Sequence, residues 1–268
     1  MAKVVACLNL KGGVGKTAIA VNFAAYCGRS GQKTLLVDLD PQTNATFSCI
    51  SVDEWEEHAS KNGTVADLFG ARTHTSAEGK QRDLSTIIRK NVWEGMDLIP
   101  SNVELFTIDL ELAGATARET KLRKALAPVM GDYDMIVCDC PPNLTIPTQN
   151  ALAVCTHYVV PISPDFLSAL GVGLLLGQVN KFCDDMTVSP TLAGMILSRI
   201  GRPALHRSRT ANSLRQQFGP DVFDAEIHER VAVSEAVEKN LSIYAFDGNG
   251  SAAQEFAAMS QELIGRIS

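Results

Sequence analysis

Three glycines lie within four positions near the start of the chain, between an apolar run and a segment with helical periodicity. The apolar run covers residues 4–8, residues 11–17 read K-G-G-V-G-K-T, and residues 18–26 carry apolar side chains at helical spacing. A strand, a glycine-rich turn and a helix in direct succession form the first unit of many α/β folds. This arrangement therefore predicts a layered α/β architecture.

The glycine-rich turn has the spacing of a loop that holds a polyphosphate. Glycine lacks a side chain, so successive backbone N–H groups can surround phosphate oxygens at the positive N-terminus of the helix. Lys16 then reaches the β- and γ-phosphates, and the Thr17 hydroxyl is placed to bind Mg²⁺. The alternative is an ordinary turn, but the strand and helix on either side favour a phosphate loop. The predicted nucleotide-binding residues are Lys11, Gly12, Gly13, Val14, Gly15, Lys16, Thr17 and Ala18.

A second lysine, Lys11, stands at the entrance of the loop. Lys16 already provides a positive charge within the loop, and a lysine at the loop entrance can instead serve the nucleotide of a neighbouring molecule. An exposed surface lysine is the alternative. The K-G-G-V-G-K-T stretch resembles the deviant Walker A box of the ParA/MinD family of dimerising ATPases. In that family the first lysine reaches the partner's phosphates, so the resemblance implies ATP, a homodimer formed across the nucleotide, and catalytic roles for Lys11 and Lys16.

Two carboxylates follow the second predicted strand. Asp38 and Asp40 are one residue apart, and strand alternation places them on the same side. A nucleotide triphosphatase needs a group that orients the attacking water and a carboxylate near the metal. Residues 38–46 resemble the family motif D-x-D-P-Q-x-N-A-T, which assigns Asp40 to the hydrolytic water and Asp38 to the Mg²⁺ shell. It makes residues 41–46 a nucleotide-sensing switch. Capping aspartates at a strand-to-helix turn are the alternative.

A third carboxylate ends the apolar stretch at residues 133–139. Asp139 is followed by two prolines, which stop the strand, and the pattern resembles a Walker B element in which Asp139 holds Mg²⁺. Cys138 and Cys140 flank it, and without further ligands they are packing residues rather than a metal site. Residues 145–151 resemble the second switch of the family.

Short apolar runs alternate with helical patterns along most of the chain. The runs are nearly continuous in apolar residues, as expected of strands buried on both faces. Strands are predicted at residues 4–9, 34–38, 97–100, 135–139, 158–162 and 192–198, and helices at 16–29, 120–130, 167–182 and 252–267. The expected fold is α/β, a doubly wound and mostly parallel sheet flanked by helices. We expect one domain over residues 1–268, with residues 51–90 as a surface insertion.

The resemblance to the ParA/MinD family extends over nearly the whole chain. Residues 161–174, 227–236 and 244–253 are similar to later family motifs, and the resemblance places Ile227 and His228 beside the adenine. Glu229 and Ala232 stand where the family carries arginines, which weakens the transfer of DNA contacts. Ala18 stands where the family has a second threonine, which removes a possible phosphate contact.

A stretch without acidic residues separates Ser198 from Phe218, in a chain whose formal net charge is −6. Its arginines create a local positive field, and arginines without a groove-reading motif bind phosphate without sequence preference. A solvated helix and loop is the alternative. The predicted contacts to nonspecific double-stranded DNA are Arg199, Arg202, Arg207, Arg209, Arg215 and Arg230.

Composition narrows the class of protein further. The chain has 268 residues, 46% hydrophobic and 20% charged, and its seven cysteines form no C-x-x-C pair, which argues against a zinc ribbon, a disulfide framework or a shared metal cluster. The resemblance to the ParA/MinD family implies a cytoplasmic protein that joins the nucleoid in its ATP state. It further implies that the protein positions a plasmid, a chromosome or a protein assembly, and that a ParB-like or cargo-adaptor protein activates its weak ATPase. A MinD-like membrane-associated ATPase is the alternative. It requires a basic amphipathic C-terminal helix, and Arg266 is the one basic residue in the last turn.

Overall fold

The structure is a computed structural model that describes residues 2–70, 82–201 and 205–268, with side chains for all of these except 166–170 and 205–207. In these ranges eight strands form one sheet, in the order β3-β4-β2-β5-β1-β6-β7-β8. Neighbouring strands are parallel except for β3 and β4. The strands are β1 (Lys3–Cys7), β2 (Thr34–Asp38), β3 (Arg89–Trp93), β4 (Met96–Ile99), β5 (Met135–Asp139), β6 (His157–Ile162), β7 (Thr191–Ile200) and β8 (Val222–His228).

Helices occupy most of the connections between the strands. In the described part of the chain they are α1 (Lys16–Arg29), α2 (Asn44–Cys49), α3 (Val52–Asn62), α4 (Val65–Phe69), α5 (Leu84–Ile87), α6 (Ile108–Glu111), α7 (Lys121–Leu126), α8 (Ile146–Val154), α9 (Phe166–Met186), α10 (Leu205–Phe218), α11 (Val231–Glu238), α12 (Ile243–Asp247) and α13 (Ser251–Arg266).

The sheet separates two hydrophobic cores, and strand alternation decides which core a residue joins. Along β5, Ile136 and Cys138 belong to one core, while Met135 and Val137 belong to the other. All five residues of β5 and of β2 are buried, which explains their nearly continuous apolar sequence. The prediction of a doubly wound, mostly parallel sheet flanked by helices is confirmed.

Two strands of the sheet were absent from the sequence prediction. β3 reads R-K-N-V-W and lies at one edge, where its side chains are exposed or half-buried. β8 lies at the opposite edge and includes the exposed Asp224. Edge strands face solvent, so they lack the continuous apolar run by which the central strands were found.

Buried apolar residues also come from the segment expected to be an insertion and from the last helix. Val65 and Phe69 of α4 are fully buried in the first core. Phe256, Met259 and Leu263 of α13 are buried in the second core, where α13 packs against β8 and α1. None of the helices in the described ranges combines the length and the apolar character needed to cross a membrane.

Candidate nucleotide site

The glycine-rich loop joins the end of β1 to the start of α1, as predicted. Gly13 and Gly15 have φ angles of 74° and 82°, a region that strains other residues, and Gly15 is the N-cap of α1. Among the described residues no side chain caps this helix, and its first turn contains no acidic residue. The backbone N–H groups at the start of α1 therefore remain available to an anion.

The two lysines of the loop have different surroundings. Lys16 is only 6% exposed, and its Nζ donates a hydrogen bond to the carbonyl oxygen of Lys11 at 3.0 Å. The ammonium group of Lys11 is more exposed and pairs with the carboxylate of Asp165 at 2.8 Å. Lys16 is thus held within the loop, whereas Lys11 is presented at the protein surface.

Asp38 lies at the end of β2, directly opposite Asp139 at the end of β5. It is completely buried and accepts hydrogen bonds from the Thr46 hydroxyl at 2.7 Å, the Thr46 backbone N–H at 2.8 Å and the Asp40 backbone N–H at 3.1 Å. Burial raises the pKa of Asp38 to about 7, although these hydrogen bonds lower it. Asp38 therefore fastens the predicted first switch to the central sheet.

Asp139 has a buried carboxylate with few partners. Neither of its carboxylate oxygens accepts a hydrogen bond in good geometry from a described residue, and the side chain is fully buried. Burial raises the pKa of Asp139 well above its usual range, Asp38 and Asp40 raise it further, and the nearby Thr17 hydroxyl and Lys16 ammonium lower it. A buried carboxylate in this state suits a cation, because a cation supplies the charge that its surroundings lack.

Asp40 lies at the wall of a cleft beside the loop. It is 6% exposed, and its Oδ1 accepts a hydrogen bond from the Gln42 backbone N–H at 2.9 Å. Thr43, the third residue of the predicted switch at residues 41–46, has a φ of 58°, which strains a β-branched residue. The switch segment is therefore held in a conformation that its own sequence does not favour.

The cleft has a volume of about 620 Å³ and combines polar residues at the loop with apolar residues beyond it. It includes Ile227 and His228 at the end of β8, where the family resemblance placed the adenine. Lys11, Val14, Asp38 and Asp139 do not line it. The lining residues are Gly12, Gly13, Gly15, Lys16, Thr17, Ala18, Asp40, Gln42, Asn44, Phe47, Ser48, Pro142, Ser198, Arg199, Ile227, His228, Glu229, Arg230, Val233, Ser234, Val237 and Phe256.

Three of the arginines predicted to bind DNA pair with carboxylates of the described chain. Arg199 and Arg230 line the cleft and pair with Glu229 and Glu255, respectively. The Arg215 guanidinium binds the Phe223 carbonyl oxygen at 2.8 Å and the Glu226 carboxylate at 2.9 Å.

The structure describes one of the other three arginine side chains in that prediction. Arg209 is exposed on α10. Arg202 and the side chain of Arg207 lie outside the described residues.

Several residues of the cleft were not singled out from the sequence as nucleotide ligands. Phe47 and Val233 are apolar, and Ser198 is buried with its hydroxyl on the carbonyl oxygen of Val14 at 2.6 Å. These residues come from α2, α11 and β7, which are far apart in the chain. No local spacing connects them, so tertiary structure alone brings them together.

Curated relatives match this chain over almost its full length. The chromosome-partitioning ATPase Soj of Treponema pallidum is 29% identical over 266 residues, covering 99% of this chain and 98% of the relative. The chromosome partitioning protein ParA of Caulobacter vibrioides is 27% identical over 266 residues, covering 98% and 94%. A family model for an AAA domain, AAA_31, matches residues 2–192. The chain belongs to the ParA family.

Solved structures share this fold. The ParA-family chain aligns with apo McdA of Cyanothece at a TM-score of 0.81 and 18% identity, over 98% of this chain and 100% of that one. A putative plasmid partition protein of Borrelia burgdorferi bound to AMPPNP aligns at a TM-score of 0.80 and 20% identity, over 99% of this chain and 100% of that one. Cobyrinic acid a,c-diamide synthase of Mycobacterium smegmatis with ADP and magnesium aligns at a TM-score of 0.78 and 25% identity, over 98% of this chain and 94% of that one.

Proposed function

We propose that this ParA-family chain is an ATPase that dimerises when it binds ATP, associates with DNA without sequence preference, and thereby positions a cargo. The observation that carries the proposal is the juxtaposition of the phosphate loop with Asp38 and Asp139 at the carboxyl ends of adjoining strands. Ligands of doubly wound sheets bind at this edge. The relatives named for chromosome or plasmid partition support the cargo-positioning part.

Nucleotide binding is assigned to the loop and the cleft. The N–H groups of the loop and the Lys16 ammonium would hold the phosphates, and the apolar wall near Ile227 would receive the base. The bound nucleotides in solved relatives, AMPPNP in one and ADP with magnesium in another, support ATP and Mg²⁺ as the cofactors.

Mg²⁺ would be held by Thr17, Asp38 and Asp139. The buried carboxylate of Asp139 and the elevated pKa values of both aspartates fit a site that is completed by a cation. When bound, Mg²⁺ would neutralise charge on the phosphate oxygens. Asp40, at the cleft wall, would orient the attacking water, and its backbone bond to Asp38 would transmit the nucleotide state to the switch at residues 41–46.

Lys11 is the residue assigned to dimerisation. Its ammonium group is exposed near the loop and is paired with Asp165. On dimerisation it would leave this exposed pair, which contributes little to stability, and reach the partner's phosphates. ATP and the second copy of the chain would then bind together.

DNA binding is assigned to the positive stretch between residues 198 and 218. Arg209 is exposed on α10, while Arg199, Arg215 and Arg230 pair with carboxylates of the same chain. Contacts to backbone phosphates would give affinity without sequence preference, and the ATP state would place the protein on the nucleoid. An activator on the cargo, of the ParB or cargo-adaptor kind, would stimulate hydrolysis and release the dimer.

Sedimentation velocity with ATP, ADP or no nucleotide tests the dimerisation step, and Asp40→Ala serves to preserve bound ATP. We expect a dimer with ATP and a monomer in the other two states. A monomer under all three conditions, at protein concentrations up to about 100 μM, would refute the proposed cycle.

A further inference from the structure

Two consecutive residues of β7 bind two consecutive carbonyl groups of the phosphate loop. The Ser198 hydroxyl donates to the carbonyl oxygen of Val14 at 2.6 Å, and Nη1 of Arg199 donates to the carbonyl oxygen of Gly13 at 2.8 Å. Ser198 is buried, whereas the Arg199 side chain is 49% exposed at the wall of the cleft. Two residues near the end of β7 therefore hold the phosphate loop, although they are distant from it in sequence.

These bonds fix the direction of two backbone amides. In a planar trans peptide the C=O and the next N–H point in opposite directions. Holding the Gly13 carbonyl toward β7 directs the Val14 N–H away from β7, and holding the Val14 carbonyl does the same for the Gly15 N–H. Backbone N–H groups oriented in this way are what a phosphate loop uses to bind anions. Glycine at position 13 makes this orientation easy to lose without an external restraint.

Arg199 is itself held in place by a second contact. Its Nη2 pairs with the carboxylate of Glu229, which directly follows β8 and also lines the cleft. The Arg199 backbone has a φ of 51°, a strained conformation for a residue other than glycine, which persists where surrounding contacts maintain it. One planar guanidinium thus joins the phosphate loop to the residue that follows β8.

We infer that Arg199 is a positioning residue of the nucleotide site, in which Glu229 orients the guanidinium and the guanidinium orients the Gly13 peptide. This inference rests on the proposed nucleotide site and replaces a DNA contact as the role of Arg199. Loop amides contact the phosphates that ADP and ATP share. Losing the restraint therefore weakens the binding of ADP and ATP equally. It leaves the ATP hydrolysis rate at saturating ATP within about twofold of the wild-type rate.

The experiment compares the dissociation constants of fluorescent ADP and ATP analogues for the full-length wild type and five variants. Arg199→Ala removes both contacts, and Arg199→Lys keeps the charge but cannot span both acceptors. Glu229→Gln removes the charge that orients the guanidinium, and the double variant Arg199→Ala/Glu229→Gln tests their coupling. Arg89→Ala is the control, because Arg89 forms a similar pair with Glu54 at 2.6 Å on the edge strand β3.

We expect Arg199→Ala to weaken the binding of both nucleotides about tenfold, which matches the loss of one charge-assisted hydrogen bond. Arg199→Lys should lose about as much affinity, Glu229→Gln about threefold, and the double variant no more than Arg199→Ala alone. Arg89→Ala should bind as the wild type does, and all variants should melt within about 3 °C of it without nucleotide.

Three results would overturn the inference while leaving the proposed nucleotide site intact. The first is that Arg199→Ala binds ADP with wild-type affinity. The second is that Arg199→Lys restores wild-type nucleotide affinity. The third is that the losses of affinity in Arg199→Ala and Glu229→Gln add in the double variant. If Arg199→Ala lost DNA binding but kept its nucleotide affinity, Arg199 would be identified as a contact to DNA phosphate instead. A wild type that binds neither nucleotide would overturn the nucleotide site and the inference together, so the two failures are distinguishable.

Discussion

The Nζ of Lys16 donates a hydrogen bond to the carbonyl oxygen of Lys11, so one lysine of the loop holds the backbone of the other. Their ammonium groups nevertheless have separate surroundings, one buried inside the loop and one paired with Asp165 at the surface. We therefore expect Lys16 to be needed for nucleotide binding and Lys11 to be needed for dimerisation.

Lys16→Ala should weaken the binding of both ADP and ATP by at least about 100-fold, because it removes the charged donor inside the loop. Lys11→Ala should leave the ADP affinity within about threefold and abolish the ATP-dependent dimer. Titration calorimetry and sedimentation velocity measure the two effects. A Lys11→Ala protein that dimerises normally with ATP would disprove the assignment of Lys11.

Asp40→Ala should lower the ATP hydrolysis rate at saturation by at least about 100-fold, because Asp40 is assigned to the attacking water. ATP affinity should be unchanged within about threefold, and the ATP-bound dimer should last longer. The control is Asp53→Ala, which removes an exposed carboxylate from the first turn of α3. Unchanged hydrolysis together with an unchanged dimer lifetime would show that Asp40 has another role.

Thr46→Val should lower the free energy of unfolding by about 2–3 kcal/mol, because it leaves buried polar groups without partners. The Thr46 hydroxyl donates to Asp38 at 2.7 Å and accepts from the Ser101 backbone N–H at 2.9 Å. Thr86→Val is the matched control, since the exposed Thr86 hydroxyl donates to the nearby backbone carbonyl of Asp83, and it should change stability by less than about 0.5 kcal/mol. Urea unfolding measures both, and equal losses would contradict the bridging role of Thr46.

His58 should make the protein less stable in mild acid. It is buried, with Nε2 2.9 Å from the Ile87 carbonyl oxygen and Nδ1 3.2 Å from the Asn62 amide nitrogen, and burial lowers its pKa below 6.5. The unfolded chain therefore binds a proton that the folded protein does not, between the folded pKa and about pH 6.5.

The stability that comes from neutral His58 is complete above about pH 6.5 and is lost as the pH falls toward the folded pKa. Urea unfolding of the wild type and His58→Gln at pH 7.5 and 5.5 measures this loss. The wild type should lose up to about 1.4 kcal/mol more per pH unit than the variant. Parallel losses in the two proteins would show that His58 is not the titrating group.

The central strands and the motifs at their ends could be predicted because the relevant information is local. β1, β2 and β5 are nearly continuous apolar runs, and each is followed by a residue pattern that marks its end. The loop glycines follow β1, while Asp38 and Asp139 end β2 and β5. These elements meet because parallel strands present their carboxyl ends at one edge of the sheet.

The roles of individual arginines could not be predicted from the same information. Arg199, Arg215 and Arg230 lie in or near a stretch without acidic residues, yet each meets a carboxylate from β8, its end or α13. Local charge density ignores acidic residues that the fold brings from elsewhere. The edge strands β3 and β8 were missed for a related reason, since their stability depends on a neighbouring strand rather than on their own apolar content.

Binding of nonspecific duplex DNA with ATP, ADP or no nucleotide, across a salt series, tests the central claim most directly. Lys16→Ala and Arg209→Glu accompany the wild type. The account predicts that the wild type binds only with ATP, that affinity falls steeply with salt, that Arg209→Glu binds at least about threefold more weakly, and that Lys16→Ala does not bind. Absence of DNA binding in every nucleotide state, or equal binding in all of them, would contradict it.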